Sequence, residues 1–220
     1  MVRIHPILAS AIGSILLLIS CSDQNDIQTD TIYENEPVEA IFGEQQISLT
    51  SEDYKALTIE ALHVLRVQKP LLHEELQRKW FIRYYIQNHE YNESYSNEEI
   101  FQRAQERAEY ENAWKEYAFE EYSISVNEDA VASQASYNLE VYQQNIPPSI
   151  IGMSEGLDLS IDEFMKGFDR DYVTRTVIWK ELMPTLFEKH LAKSSERLDG
   201  VYLSQKYDQE VLEYLDQRES

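Results

Sequence analysis

The sequence predicts a mainly α-helical domain, with at most a short strand or hairpin at its N-terminal edge. Three observations carry that expectation. Apolar residues recur at steps of three and four along most of the chain, the spacing that gathers them on one face of a helix. Thr50 with Asp53, Ser96 with Glu99 and Ser160 with Glu163 stand in front of such runs, as capping boxes that start helices do. Strand-like patterning is confined to residues 38–50, where Ala40-Ile41-Phe42 and Ile47-Ser48-Leu49 flank a turn at Gly43-Glu44.

Ahead of the helices, Arg3 precedes an apolar run over residues 7–19, which holds no charged residue and closes on Leu18-Ile19-Ser20-Cys21. A charged start, a short apolar stretch and a small residue before the cut are the order of a secretory signal. The closing tetrapeptide resembles the lipobox of bacterial lipoproteins. The resemblance implies cleavage between Ser20 and Cys21, and acylation of Cys21 by lipid of the palmitate kind, which leaves the chain anchored on the extracytoplasmic face of a cell membrane. An uncleaved spanning anchor fits less well, because the run falls short of the ~20 apolar residues a bilayer requires. Cys21 is the single cysteine, so no disulfide is expected and folding rests on burial.

Losing residues 1–20 removes Arg3, and 18 Lys and Arg then face 40 Asp and Glu, a net charge of −22. A surface this acidic argues against nucleic acid as a partner, since that needs clustered cations. It also repels anionic headgroups, so membrane attachment falls to the lipid on Cys21. Residues 21–37 are polar and acidic and read as a disordered tether. The helical domain is expected over residues 38–193, and residues 194–220 as a C-terminal segment, one helix packing back or a tail.

Within that domain Tyr54, Leu57, Ala61, Leu62 and Leu65 share a helix face, and Pro70 ends or kinks that helix. Leu72, Leu76, Trp80 and Tyr84 form the next stripe, widened by Leu71, Phe81 and Tyr85. A polar break over residues 88–96 separates it from a long helix carrying Ile100, Ala104, Ala108, Trp114, Tyr117 and Ala118. Asn127 is a good N-cap for the helix holding Val131, Ala135, Leu139, Tyr142 and Ile146, which Pro147-Pro148 stops. A short turn through Ile150, Ile151 and Met153 ends near Gly156. Behind Ser160 run Phe164, Phe168, Tyr172, Thr176, Trp179, Met183 and Leu186, with Pro184 expected to bend or break that helix. Lys193-Ser194-Ser195 reads as a linker. Val201, Val211, Leu212 and Leu215 predict a last helix at residues 206–217.

Little in the chain points to catalysis. No two of His5, His63, His73, His89 and His190 have the spacing that sets two imidazoles on one helix face. There is no Gly-x-Ser-x-Gly and no Gly-rich phosphate loop. Acidic pairs such as Glu98-Glu99 and Asp162-Glu163 read as helix starts and solvated faces. The expectation is a protein that is not an enzyme, with no metal and no cofactor. Aromatics are abundant, with 15 Tyr, 7 Phe and 3 Trp against 6 Gly, and two neighbours on a helix point about 100° apart. Both cannot face one narrow stripe. Tyr84 is in phase with the Leu72, Leu76, Trp80 stripe and is expected in the core; Tyr85 is expected in a groove.

Three segments then resemble the N-terminal domain of SurA/PrsA-type extracytoplasmic chaperones. Residues 40–50 are similar to the family's short strand, Asn-Gly turn and Ile-Thr entry to the first helix, with Phe42 where the Asn usually stands. Ala118-Phe119-Glu120-Glu121-Tyr122-Ser123-Ile124-Ser125-Val126-Asn127-Glu128-Asp129 is similar to its helix end, Ile-x-Val link and acidic start of the next helix. Gly156-Leu157-Asp158-Leu159-Ser160-Ile161-Asp162-Glu163-Phe164 is similar to its Gly-Leu, gap and capped helix with acidic and aromatic residues. The resemblance covers about residues 38–191. It implies a SurA-N-like multi-helix fold and non-catalytic, chaperone-like binding of unfolded or exported polypeptides. About thirty residues follow His190, too few for the family's prolyl-isomerase domain, so that activity is not expected. Phe81, Tyr85, Tyr117 and Tyr122 are the candidate peptide-binding residues. The alternative is an interaction lipoprotein that docks one specific envelope or spore partner.

Overall fold

Each helix begins where the sequence offers its free backbone N–H groups an acceptor. In the computed structural model, which describes residues 48–143, 145–191 and 198–219, all three capping boxes are formed. Thr50 opens α1 (Ser51–Gln68), Ser96 opens α3 (Asn97–Tyr122) and Ser160 opens α6 (Ile161–Glu163). At each, the cap hydroxyl accepts from the third backbone N–H of the helix while that residue's carboxylate accepts from the cap backbone. The Glu74 carboxylate takes the N–H groups of Leu76 and Gln77 at the start of α2 (Glu75–Glu90). Asn127 caps α4 (Glu128–Tyr142), and Pro148 supplies the first residue of α5 (Pro148–Gly156), a position where its missing N–H costs nothing. A π-helical turn at Phe164–Phe168 precedes α7 (Arg170–Leu191), and α8 (Gly200–Glu219) closes the set. Among the described residues there is no strand. The hairpin expectation falls mostly on residues 38–47, which lie outside the described residues, as do the signal, the tether and Lys193-Ser194-Ser195.

Two cores result, and α3 and α7 run through both. The first gathers Ala61 and Leu65 of α1, Phe81 and Tyr85 of α2, Ile100 and Ala104 of α3, Val131 of α4, Phe164, and Val177 of α7. The second lies between the C-terminal halves of α3 and α7 and the whole of α8: Trp114, Ala118, Ile178, Leu182, Leu186, Leu203, Tyr207 and Val211. Buried ion pairs stand where the two long helices pass from one core to the other. Arg175 of α7 donates to Glu111 of α3 at 2.9 Å and reaches Asp208 of α8 at 3.5 Å, while Arg107 pairs with the same Glu111. Burial alone would lower the Arg175 pKa, but Glu111, Tyr110 and Asp208 raise it, so the guanidinium stays charged.

The structure corrects the phase of two predicted stripes. In α2 the buried face is Trp80, Phe81, Ile82, Tyr85 and Ile86, while Tyr84 is half-buried and Leu71 is exposed in the preceding turn. Pro70 does not start α2; the helix begins five residues later. Leu72, Leu76 and Tyr84 pack against the first core only half-buried, at the edge of the face that Phe81, Ile82, Tyr85 and Ile86 bury. Beyond Ser160, the helix is not continuous. The Asp169 N–H bonds to the Phe164 carbonyl, five residues back, at 2.9 Å, the signature of a π-turn. One extra residue in that turn rotates everything after it. The expected Tyr172 and Thr176 are therefore half-buried, and Val173 and Val177 are buried in their place. Pro184, by contrast, sits inside unbroken α7 on its exposed face, where water can donate to the carbonyl its ring leaves without an N–H.

The segment expected to be a short turn is α5, and it approaches α1 almost backbone to backbone. A methyl group on Gly152 would lie 2.2 Å from the Ser51 carbonyl oxygen, 2.5 Å from Tyr54 Cβ and 2.8 Å from the Lys55 nitrogen. One on Gly156 would meet Thr58 Cβ at 2.6 Å. The Gly-x-x-x-Gly spacing leaves both glycines on one face, and two of the atoms in the way at Gly152 are backbone, which cannot swing aside. Gly152→Ala should therefore lower stability by about 1–3 kcal/mol or more through forced separation of α1 and α5; an unchanged urea midpoint would contradict this packing.

The capping boxes also set a pH dependence. Hydrogen bonds from the cap side chain and the cap backbone hold the Asp53, Glu99 and Glu163 carboxyls below their usual range. A folded pKa below the unfolded one gives stabilisation that is complete above the unfolded value and lost as pH falls through the folded value. Carboxyl NMR titration should find these three groups low, and Ser160→Ala should return Glu163 toward the usual range while leaving Glu99 where it is.

Candidate functional site

Phe81 and Tyr85 do not face a groove. Phe81 is fully buried and its ring stacks on Phe101 with centroids 4.2 Å apart. Tyr85 is 6% exposed. Burial, then the nearby Glu60 carboxylate, pushes its hydroxyl up to about 12. Tyr85, expected in a groove, is thus a core residue, and Tyr84, expected in the core, packs against it only half-buried. Tyr84 instead lies half-buried against Trp80, with centroids 5.4 Å apart.

Tyr117 and Tyr122 stand elsewhere, at the C-terminal end of α3, where α8 crosses it. Both are half-buried, and their rings meet edge-on at 6.0 Å. Tyr207, buried beneath them, donates its hydroxyl to the Trp114 carbonyl at 2.8 Å. Tyr117 and Tyr122 both donate to Glu210, at 3.3 and 2.5 Å. Burial first, and the Glu210 charge with it, raises the pKa of both hydroxyls, so they remain donors. Lys189 of α7 completes the group, with Nζ 2.6 Å from the Tyr122 hydroxyl and 2.8 Å from Glu210. His190 Nε2 lies 3.8 Å from the same carboxylate.

Beside this cluster a cleft of about 390 Å³ opens between α3 and α8. Tyr117, Glu120 and Glu121 line it from α3, and Glu210, Glu213, Tyr214 and Gln217 from α8. The Tyr117 and Tyr214 rings lie 5.3 Å apart. Tyr214 donates to Glu120 at 3.0 Å. Arg218 lies over the Tyr214 ring at 5.4 Å and pairs with Glu116. The site therefore offers aromatic faces and carboxylate acceptors. A smaller cleft of about 180 Å³ lies at the α1–α2 junction, lined by Leu62, Leu65, Arg66, Pro70 and Arg78.

Of the four candidates named from the sequence, Tyr117 lines this cleft; the residues that line it from α8 were not among them. Glu210, Tyr214 and Gln217 follow at steps of four and three, a polar–aromatic face whose spacing was legible, but nothing local paired it with α3. Among the described residues no group of three His, Cys, Asp or Glu is placed to hold a metal, and no helix is long and apolar enough to cross a membrane. Compared with protein-family models, curated proteins and solved structures, the chain matches none.

The burial pattern has a direct test. Tyr85→Ala should cost about 3–5 kcal/mol, as large aromatic truncations in a core do, and Tyr84→Ala less, measured by chemical denaturation. Equal losses would mean that the two rings share the burial evenly.

Proposed function

We propose that this chain is a lipid-anchored extracytoplasmic protein whose helical domain, of SurA-N-like kind, binds exported polypeptides without catalysing a reaction on them. The anchor reading is supported by Leu18-Ile19-Ser20-Cys21 behind a charged and then apolar start. The binding reading is carried by one observation: the open α3–α8 cleft, with tyrosine on both walls. Tyrosine suits varied partners, because it combines a large apolar face with a polar tip. At about 390 Å³ the cleft has room for one or two side chains of a bound segment, not for a long apolar stretch. That size favours the second reading as well, in which the protein docks one specific envelope partner through a few anchored side chains.

Crosslinking in intact cells separates these readings. Many unrelated exported polypeptides captured through a photoreactive residue at Gln217 support broad binding; a single product of fixed mass supports the specific partner; no product overturns both. Cys21→Ala should abolish incorporation of a labelled fatty acid and move the protein out of the mature membrane fraction. Equal labelling of wild type and variant would remove the anchor from the proposal.

A further inference from the structure

We infer that the α3–α8 cleft receives the cationic side chain of a lysine- or arginine-bearing polypeptide segment; this rests on the polypeptide-binding reading and names its ligand class. The first ground is charge complementarity. Four glutamates, two tyrosine rings and Gln217 form the lining, with no cationic residue among them, in a chain that carries 40 acidic and 19 basic residues. A tyrosine face attracts a cation through its ring quadrupole, and a carboxylate at the tip of that face adds a charge-assisted hydrogen bond.

The second ground is how this chain's own cations sit at the cleft's two ends. Lys189 lies 5.0 Å over the Tyr122 ring and donates to Glu210. Arg218 lies over the Tyr214 ring and pairs with Glu116. Each places a positive group on a tyrosine face and against a carboxylate, Glu210 for Lys189 and Glu116 for Arg218. Between them the same elements recur in the cleft itself. Tyr117 and Tyr214 form its walls, and Glu121 and Glu213 supply acceptors that Lys189 and Arg218 do not use. An aliphatic side chain would have to strip water from these carboxylates without replacing their hydrogen bonds, and a second copy of this acidic chain would bring like charge to like.

The test uses the acylated full-length protein in detergent micelles and a fluorescent deca-lysine peptide, with its fully acetylated form as the neutral probe. Anisotropy at moderate salt should show binding of the charged peptide. Glu121→Gln with Glu213→Gln should weaken it about tenfold, while Glu106→Gln with Glu140→Gln, the same charge change on exposed surface outside the cleft, should change it less than about threefold. Circular dichroism confirms that both variants remain folded. Equal weakening by the two pairs would assign the attraction to the diffuse acidity of the surface and overturn the inference. So would acetylated peptide binding as tightly as the charged form, although polypeptide binding itself would then stand. Binding of neither peptide by the wild type would overturn the inference together with the polypeptide reading beneath it.

Discussion

Arg175 is the residue on which the two halves of the helical domain depend. Its guanidinium lies between Glu111 on α3 and Asp208 on α8, with the Trp114 ring 4.2 Å beneath it. All three side chains of this ion triad are largely buried, so each charge has left water and must be repaid by its neighbours. Buried pairs of this kind add little net stability over apolar packing, but they tolerate few alternative arrangements. Here they fix the register of α7 against α3 at the point where both helices leave one core and enter the next. Tyr110 donates to the same Asp208 carboxylate at 2.6 Å, which ties α8 to that register too.

A second guanidinium does similar work at the other end of the first core. Arg83 of α2 pairs with Asp169 and with Asp171 and lies over the rings of Trp80, Phe168 and Tyr172. It also donates to the Phe168 carbonyl, at the end of the π-turn. Burial raises the Asp169 pKa and Arg83 opposes that rise. The π-turn is thus held from outside by a charge on a distant helix as well as by its own backbone bond. That turn in turn decides which face of α7 meets the cores, and hence where Ile178, Leu182 and Leu186 present the surface on which α8 rests.

The candidate cleft follows from this arrangement. Had α8 been a free tail, Tyr117 and Tyr122 would be exposed aromatics near the end of a helix. With α8 docked through Leu203, Tyr207 and Val211, Tyr117 becomes part of one wall of a cleft, and Glu210 gathers the hydroxyls of both tyrosines. The candidate site is therefore a product of packing between segments about ninety residues apart in the sequence, and its acidity comes from both helices.

Local signals were sufficient for much of the fold. Thr50, Ser96, Asn127 and Ser160 announce helix starts because capping is an interaction over three residues, visible in any short window. The faces of α1 and α3 were equally legible, because each keeps one unbroken helical period. Where the period was interrupted, the sequence by itself misled. The π-turn after Glu163 shifts phase, which exchanges the places of Tyr172 and Val173; in the unbroken α2 the buried face centres on Phe81 and Tyr85, one residue round from the row of Leu76, Trp80 and Tyr84. A phase shift depends on which carbonyl a backbone N–H selects, and here that choice is tied to Arg83 and to the aromatic rings around it, contributed from far along the chain. The close seam of Gly152 and Gly156 on α1, the ion triad at Arg175 and the pairing of α3 with α8 were likewise decided only by the tertiary structure. Each joins residues that no local period connects, and their free energy exists only once the helices have met.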